Sequence, residues 1–149
     1  MEIIEITESY LQQAKPGQGT IRKEPDYQDK NHAEEIEMAE WIHETFGGDI
    51  TLLAEKDGVY LEKSADYEWN GKLWELKTVR SVKGIDAAVR KAIPQIRKNP
   101  GGAILHLRND ETLTKVMKTI EARMLTSFRF SMDIMVVMNK KLLIINRYK

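Results

Sequence analysis

Two acidic residues and one lysine in the middle of the chain have a spacing that could place them at a single point. Asp66 and Glu75 flank the pair Asn70-Gly71, and Lys77 follows Glu75 by two residues. Asn-Gly favours a two-residue hairpin turn, which puts Asp66 opposite Glu75. Because side chains alternate along a strand, Glu75, Lys77 and Asp66 should project from the same face. The spacing predicts two carboxylates beside one amine.

Carboxylates directly opposite each other destabilise a sheet, so this arrangement predicts a cation between them. Oxygen ligands suit a hard divalent ion, and the chain has no cysteine that could provide thiolate ligands. The alternative is an exposed hairpin whose surface ion pairs contribute at most about 1 kcal/mol. The apolar residues of the other face, Tyr67, Trp74 and Leu76, favour the metal interpretation.

A third carboxylate is expected from a helix that spans Asn31 to Phe46, with Asn31 as its N-cap. Its buried stripe contains Ala39, and Glu35 falls on the same side, one turn from the helix start. Burying a carboxylate is unfavourable unless it is paired or binds a metal. His32 lies on this face too, either near the site or as a helix cap. The outward, solvated positions are expected to be Glu34, Glu37, Glu40 and Glu44.

The flanking segments predict an α/β fold. Residues 1–30 are expected to be a loosely ordered lead-in with one short strand or turn near Ile3–Leu11, and residues 31–149 one domain. The remaining pattern indicates strands, then a helix, a strand, a second helix and a terminal hairpin. The predicted strands are Asp49–Glu55, Val59–Lys63, Ala65–Trp69, Leu73–Thr78, Ala103–Arg108, Ile134–Met138 and Leu142–Ile145, and the two helices are Gly84–Lys98 and Glu111–Leu125.

The formal net charge of zero hides a strong asymmetry along the chain. Residues 1–69 hold 17 acidic and 6 basic residues, a net of −11, residues 70–98 have a net of +6, and residues 99–149 a net of +5. The middle segment could bind phosphates or form a solvated helix face. Lys91 and Gln95 lie at one margin of the helix predicted at Gly84–Lys98, from which they could reach the site, and Arg80 follows the strand predicted at Leu73–Thr78.

At this point the sequence resembles the PD-(D/E)XK nuclease superfamily. The resemblance rests on Asp66 and Glu75-Leu76-Lys77 within an αβββαβ order that carries a glutamate on its first helix. Four longer sequence motifs resemble the C-terminal tRNA-nuclease domains of contact-dependent growth-inhibition toxins. These motifs are Asn31-His32 through Glu35-Ile36, Phe46-Gly47-Gly48-Asp49-Ile50, Trp69 through Lys77, and Gln95-Ile96 with Asn99-Pro100-Gly101-Gly102. Similar domains end some phage head proteins.

The resemblance implies a role for each matching residue. Asp66, Glu75 and Glu35 would hold Mg²⁺ or Mn²⁺, and Lys77 would orient or activate the attacking water. Gln95 would match the polar residue of the superfamily's second helix, with Lys91, His32 and Arg80 as further substrate contacts. The chain departs from the family at Ala65, where proline usually precedes the aspartate. The fold implied is a restriction-endonuclease-like αβββαβ core with an added helix and a C-terminal β-hairpin.

The function expected from these residues and this resemblance is metal-dependent endoribonuclease activity, acting on tRNA as a bacterial toxin domain. Two alternatives stay open: a DNA endonuclease of the same fold, and a non-catalytic module that binds a phage or other protein. A toxin would have a cognate immunity protein and would act in the bacterial cytoplasm of a target cell. No apolar run reaches the roughly 18 residues of a membrane span, and no targeting segment is expected.

Overall fold

The computed structural model describes residues 1–55, 65–108, 112–127 and 130–149. In these ranges four helices and eight strands alternate along the chain. In chain order they are β1 (Ile3–Glu5), α1 (Thr7–Gln13), β2 (Ile21–Lys23), α2 (Ala33–Thr45), β3 (Ile50–Leu52), β4 (Tyr67–Trp69), β5 (Lys72–Val79), α3 (Val82–Ile96), β6 (Pro100–Leu107), α4 (Leu113–Ser127), β7 (Met132–Met138) and β8 (Lys141–Tyr148). The α/β class is confirmed, and among the described residues α2 through β6 occur in the order αβββαβ.

All eight strands belong to one mixed sheet, in the order β1-β8-β7-β6-β5-β4-β3-β2. The three central strands β5, β6 and β7 run parallel, because α3 and α4 provide the crossovers between them. The β7–β8 hairpin is antiparallel, as is the pairing of β3, β4 and β5. The long strands β5, β6 and β7 are central, the three-residue strands β1 and β2 form the two edges, and the equally short β3 and β4 lie between β2 and β5.

Helices cover both faces of the sheet. The helix α2 packs its apolar stripe on one face, where Met38, Ala39 and Ile42 join a core with Tyr67 and Leu76. On the other face α3 and α4 pack on the central strands, through a core that contains Ile85, Val89, Ala92, Ile96, Val116, Ile120, Ala103, Leu105, Ile134 and Val136. Because β5 alternates its side chains, Trp74 and Leu76 face α2, whereas Leu73 and Val79 belong to the opposite core.

The β4–β5 hairpin has the register that its turn sequence predicts. Asn70 and Gly71 both have positive φ angles, 50° and 79°, as a two-residue primed turn requires. Tyr67 pairs with Trp74 and Trp69 with Lys72. In chain order the regular β4–β5 pairing begins at Tyr67, so Asp66 lies one residue outside it.

Two expectations for the N-terminal third need correction. The short strand expected near Ile3–Leu11 is observed as β1, followed by α1, but the first 30 residues are more ordered than expected, because β2 also pairs with β3 at the opposite edge of the sheet. Three-residue strands have too few side chains to show a period, and only pairing with β8 and β3 reveals them. The N-cap of α2 is His32, while Asn31 takes a positive φ of 69° just before it. The division of the chain at residue 30 remains a prediction.

Two further expectations fall outside the described residues: the strand over Val59–Lys63 and the start of the fourth helix at Glu111. The other boundaries shift by a few residues. No helix in the described ranges combines the length and the apolar character needed to cross a membrane.

Candidate functional site

A cleft of about 480 Å³ opens between the start of α2 and the second half of β5. Its lining residues are Asn31, His32, Ala33, Glu34, Glu35, Leu76, Lys77 and Thr78. We call it the carboxylate cleft, because Glu34 and Glu35 line it and because Lys77, also in its lining, pairs with the buried Glu75. The first turn of α2 contributes Glu35 to the cleft, and the central strand β5 contributes Lys77.

Asp66 sits where the hairpin ladder breaks down. Its backbone N–H donates to the Trp74 carbonyl at 3.1 Å, and its Oδ2 accepts a hydrogen bond of 2.8 Å from the Leu76 N–H. The expectation that Asp66 would pair directly opposite Glu75 is therefore corrected, because the side chain folds back onto β5. Its carboxyl group nevertheless interacts directly with that of Glu75.

Glu75 is the most deeply buried charged residue of the site, with 3% of its surface exposed. Its Oε2 lies 3.0 Å from the Lys77 ammonium, which is partly exposed to the cleft. Its Oε1 is buried and has no hydrogen-bond partner among the described residues. Since most buried polar atoms in native proteins are hydrogen-bonded, an unpartnered carboxylate oxygen marks a position at which a further positive or donating group would be favourable.

Glu35 extends the row of acids, because its carboxyl group interacts with that of Asp66. Two tyrosines position it. Tyr27 donates to Glu35 Oε2 at 2.8 Å, and the Tyr67 hydroxyl donates to the Glu35 backbone carbonyl at 2.6 Å. The inward orientation expected for Glu35 is thus observed, held from one side by the segment after β2 and from the other by β4.

Burial and crowding change the ionisation of two of these acids, Asp66 and Glu35. Burial raises the pKa of Asp66 to about 8, with the neighbouring Glu75 as the next cause. Burial likewise raises the pKa of Glu35 to about 7, with Asp66 as the next cause. In both cases the charged form is disfavoured because it leaves water and meets a second negative charge. Titratable groups shifted by burial and a specific partner in a cleft are typical of functional sites.

The three carboxyl groups offer the all-oxygen donor set that Mg²⁺ and Mn²⁺ prefer. As the side chains stand, no three His, Asp or Glu residues of the described ranges group closely enough to hold a metal ion. The Glu75 Oε1 beside Asp66 is the observation that fits a cation, since this buried oxygen accepts no hydrogen bond from a conventional donor of the described residues and its neighbour is a second acid. Metal binding remains a prediction that a binding measurement must test.

Among the predicted substrate contacts, His32 borders the carboxylate cleft. Its Nδ1 donates to the Gln28 carbonyl at 2.5 Å, which raises the pKa of His32, and its Nε2 lies 3.1 Å from Glu55. Gln95 and Lys91 lie on α3 and are not among the described residues that line the cleft. Lys91 is exposed, whereas the Gln95 Oε1 is buried and has no hydrogen-bond partner in the described ranges. Arg80 is exposed just after β5.

One expectation about α2 was incomplete, because Glu34 keeps 44% of its side chain exposed, as expected, but also lines the cleft. It accepts a hydrogen bond of 2.8 Å from the Thr78 hydroxyl, and its other oxygen lies 3.2 Å from Arg108. Helical angles alone put Glu34 on an outer face. Only the approach of β5 and β6 to the first turn of α2 reveals that Thr78 and Arg108 meet it there.

No protein-family model matches this chain, and no curated protein matches it. Its structure is similar to a chain of the CdiA-CT/CdiI toxin and immunity complex from Burkholderia pseudomallei, with a TM-score of 0.54 and 14% sequence identity. The similarity covers 84% of this chain and 98% of the other. At this level of identity the comparison shows a shared fold. The chain therefore has the fold of a component of a toxin and immunity complex.

Proposed function

We propose that the protein is a metal-dependent endoribonuclease of the PD-(D/E)XK type that cleaves tRNA as a toxin domain. The observation that carries the proposal is the buried Glu75, with one oxygen on Lys77, one oxygen unpartnered among the described residues, and a second acid at its side. A docking module gains nothing from burying adjacent acids, because their repulsion and desolvation destabilise the fold. A phosphodiester hydrolase needs them to hold a cation.

The chain's own groups suit hydrolysis of a phosphodiester. Lys77 reaches into the carboxylate cleft from β5, where its ammonium can orient a water molecule and offset negative charge that develops on the phosphate. Glu75 holds that ammonium in place at 3.0 Å. Tyr27 and Tyr67 fix Glu35, so that the acids keep their positions as substrate enters.

A divalent ion bound by Asp66, Glu75 and Glu35 would supply a bound water of lowered pKa and neutralise charge on the scissile phosphate. Asp66 and Glu35, with pKa values of about 8 and about 7, would have to lose their protons when the ion binds. Metal affinity should therefore rise with pH through the neutral range.

The toxin part of the proposal is supported by the shared fold with a chain of a toxin and immunity complex. It implies two partners, a tRNA substrate and a cognate immunity protein that blocks the site. It also implies action in the cytoplasm of a bacterial target cell. Net charges of +6 over residues 70–98 and +5 over 99–149 would favour contact with an RNA backbone.

The test is a cleavage assay with purified wild type and Glu75→Gln, an isosteric change that removes the charge at the orphaned oxygen. Both proteins are incubated with total tRNA or duplex DNA in Mg²⁺, Mn²⁺ or EDTA, and the products are resolved on a denaturing gel. Discrete tRNA fragments from the wild type alone, absent in EDTA, are the expected result.

Each other outcome has a definite meaning. Fragments of DNA rather than tRNA would keep the site and correct the substrate. Equal activity of the two proteins would remove Glu75 from the mechanism. If neither nucleic acid is cut while both proteins show the same circular dichroism spectrum and melting temperature, the protein is a non-catalytic binding module.

A further inference from the structure

A second cavity, of about 710 Å³, lies at the other end of α2. Phe46, the C-cap of this helix, borders it, whereas the first residues of α2 border the carboxylate cleft. The helix has 13 residues. At about 1.5 Å per residue, the two sites are about 20 Å apart. We call this second site the end cavity, because it lies between α1, the β4–β5 turn and the starting ends of β6 and β7.

The segment Asn99-Pro100-Gly101-Gly102 follows the end of α3 and contributes Pro100 and Gly101 to the lining of the end cavity. A Cβ atom on Gly101 would lie 2.4 Å from the indole nitrogen of Trp74, so only glycine lets this ring pack against β6. The pairing of β5 with β6 shifts register at the same place, between Leu73 and Trp74. The Asn99 amide donates to the Gly71 carbonyl at 2.6 Å and accepts from the Lys72 ammonium at 3.2 Å. Lys72 is thereby held at the rim.

The aromatic rings of the end cavity form its wall rather than a surface for stacking. Trp69 and Trp74 are only 4% and 3% exposed, and their rings pack on each other and on Tyr10. The groups left to contact a ligand are polar: Ser9, Gln13, Asn70, Lys72, Ser131, Arg147 and Lys149. A ligand of this cavity would therefore be recognised by charge and hydrogen bonds.

The charge of the lining is positive. Asp133 is the one acid among the described lining residues, and this carboxylate is already saturated, since Arg147 donates to both of its oxygens at 2.8 and 3.1 Å and Tyr10 donates at 2.5 Å. Lys72 donates to a neutral amide, and within the described ranges no carboxylate pairs with Lys72 or Lys149. Two ammonium groups are thus available to an anion.

We propose that the end cavity binds a phosphate group of the RNA whose scissile bond lies in the carboxylate cleft. This inference rests on the proposed nuclease function, and it adds an anchoring site about 20 Å from the chemistry. The volume lies in the range of natural ligand sites, and ammonium groups bind phosphates as point charges. Because the anchor contacts substrate remote from the reacting atoms, losing it should raise KM and leave kcat unchanged.

The test compares the double variant Lys72→Gln/Lys149→Gln with Lys115→Gln/Lys118→Gln, which removes the same charge from exposed positions on α4. Arg147 is left intact because Asp133 depends on it. Binding of fluorescently labelled total tRNA is measured in EDTA, so that no cleavage occurs, at low salt and at several higher KCl concentrations. The end-cavity variant should bind about tenfold more weakly at low salt, and its log–log salt slope should fall by about 2, one unit for each ammonium group removed from the phosphate site.

The proposal is overturned if the end-cavity variant binds like the wild type, if the α4 variant loses as much affinity, or if the wild type does not bind tRNA. Saturable shifts of the Lys72 and Ser131 amides on adding inorganic phosphate alone, with a Kd below about 1 mM, would reassign the cavity to free phosphate. Because binding is measured without metal, a failure of the nuclease proposal appears in the cleavage assay and a failure of the anchor appears here.

Discussion

Glu75 on β5 and Asp133 on β7 are both buried carboxylates on parallel strands of one sheet, yet their surroundings are opposite. Asp133 receives three hydrogen bonds, two from Arg147 and one from Tyr10. Glu75 has an ion pair with Lys77, an oxygen without a partner in the described ranges, and Asp66 as a neighbour. A saturated acid contributes to the stability of the fold, whereas an unsaturated acid beside other acids indicates a binding function.

The comparison predicts its largest effect in catalysis. Replacing Lys77 with Gln should lower the single-turnover rate of tRNA cleavage by about 10²- to 10³-fold, because a preorganised positive charge beside the phosphate is lost. Lys140→Gln is the matched control, since its ammonium pairs only loosely with Glu37, at 3.7 Å, away from the cleft. A Lys77→Gln rate close to that of the wild type would show that the ammonium takes no part in the reaction.

The second predicted effect is a loss of folding stability when Asp133, the acid with all of its partners, loses one of them. Arg147→Ala should lower the free energy of unfolding by about 3 kcal/mol, because it leaves Asp133 buried with only Tyr10 as a partner. Glu75→Gln should change the same quantity by less than about 1 kcal/mol, because it removes repulsion along with the Lys77 pair. Urea denaturation of the three proteins at neutral pH measures both. Equal losses in the two variants would contradict the distinction drawn here.

Metal should stabilise only the unsaturated site. Mn²⁺ at about 100 times its Kd should raise the free energy of unfolding of the wild type by about 2.7 kcal/mol, the linkage value for a ligand that binds the native state alone. Asp66→Asn should abolish the effect, and Asp133→Asn should retain it. The comparison uses melting temperatures with Mn²⁺ and with EDTA, and a wild type unaffected by Mn²⁺ would remove the metal from the proposal.

A further effect is the pH dependence of the metal-free protein. Asp66 and Glu35 have folded pKa values of about 8 and about 7, above those of the unfolded chain, so the native state binds more protons in between. The contribution of these two acids to stability should therefore be greatest below about pH 4 and decline as pH rises to about 8. The limiting slope is about 1.4 kcal/mol per pH unit for each acid, or about 2.7 where both are protonated in the native state and ionised in the unfolded chain. Asp66→Asn should flatten this slope in EDTA. A wild type that becomes more stable over the same rise in pH would contradict the shifts.

Local chemistry accounts for the part of the structure that was predictable from sequence. Asn70-Gly71 determines the hairpin register, because both residues accept the positive φ angles of a primed turn. The helical period of α2 places Glu35 inward, where Tyr27 and Tyr67 hold it. These two patterns place Asp66, Glu75 and Lys77 on one hairpin and turn Glu35 inward, but only the approach of α2 to β5 brings the four residues together.

Interactions between distant segments were not predictable in this way. Glu34 meets Thr78 and Arg108 only because β5 and β6 pass beside the first turn of α2. Tyr10 and Asp133 are separated by 123 positions and share no local pattern. The three-residue strands β1 and β2 are defined by their partners alone.

The sequence by itself determined the α/β class, the hairpin and the residues that could do chemistry, because turn preferences and side-chain periods are set by neighbours along the chain. The tertiary structure alone decided which acids are satisfied. Asp66 turns back to the Leu76 N–H, Glu75 keeps an oxygen without a partner among the described residues, and Asp133 is enclosed by Arg147 and Tyr10. Burial and hydrogen-bond partners come from packing between segments, and they separate an acid that supports the fold from one that can bind a cation.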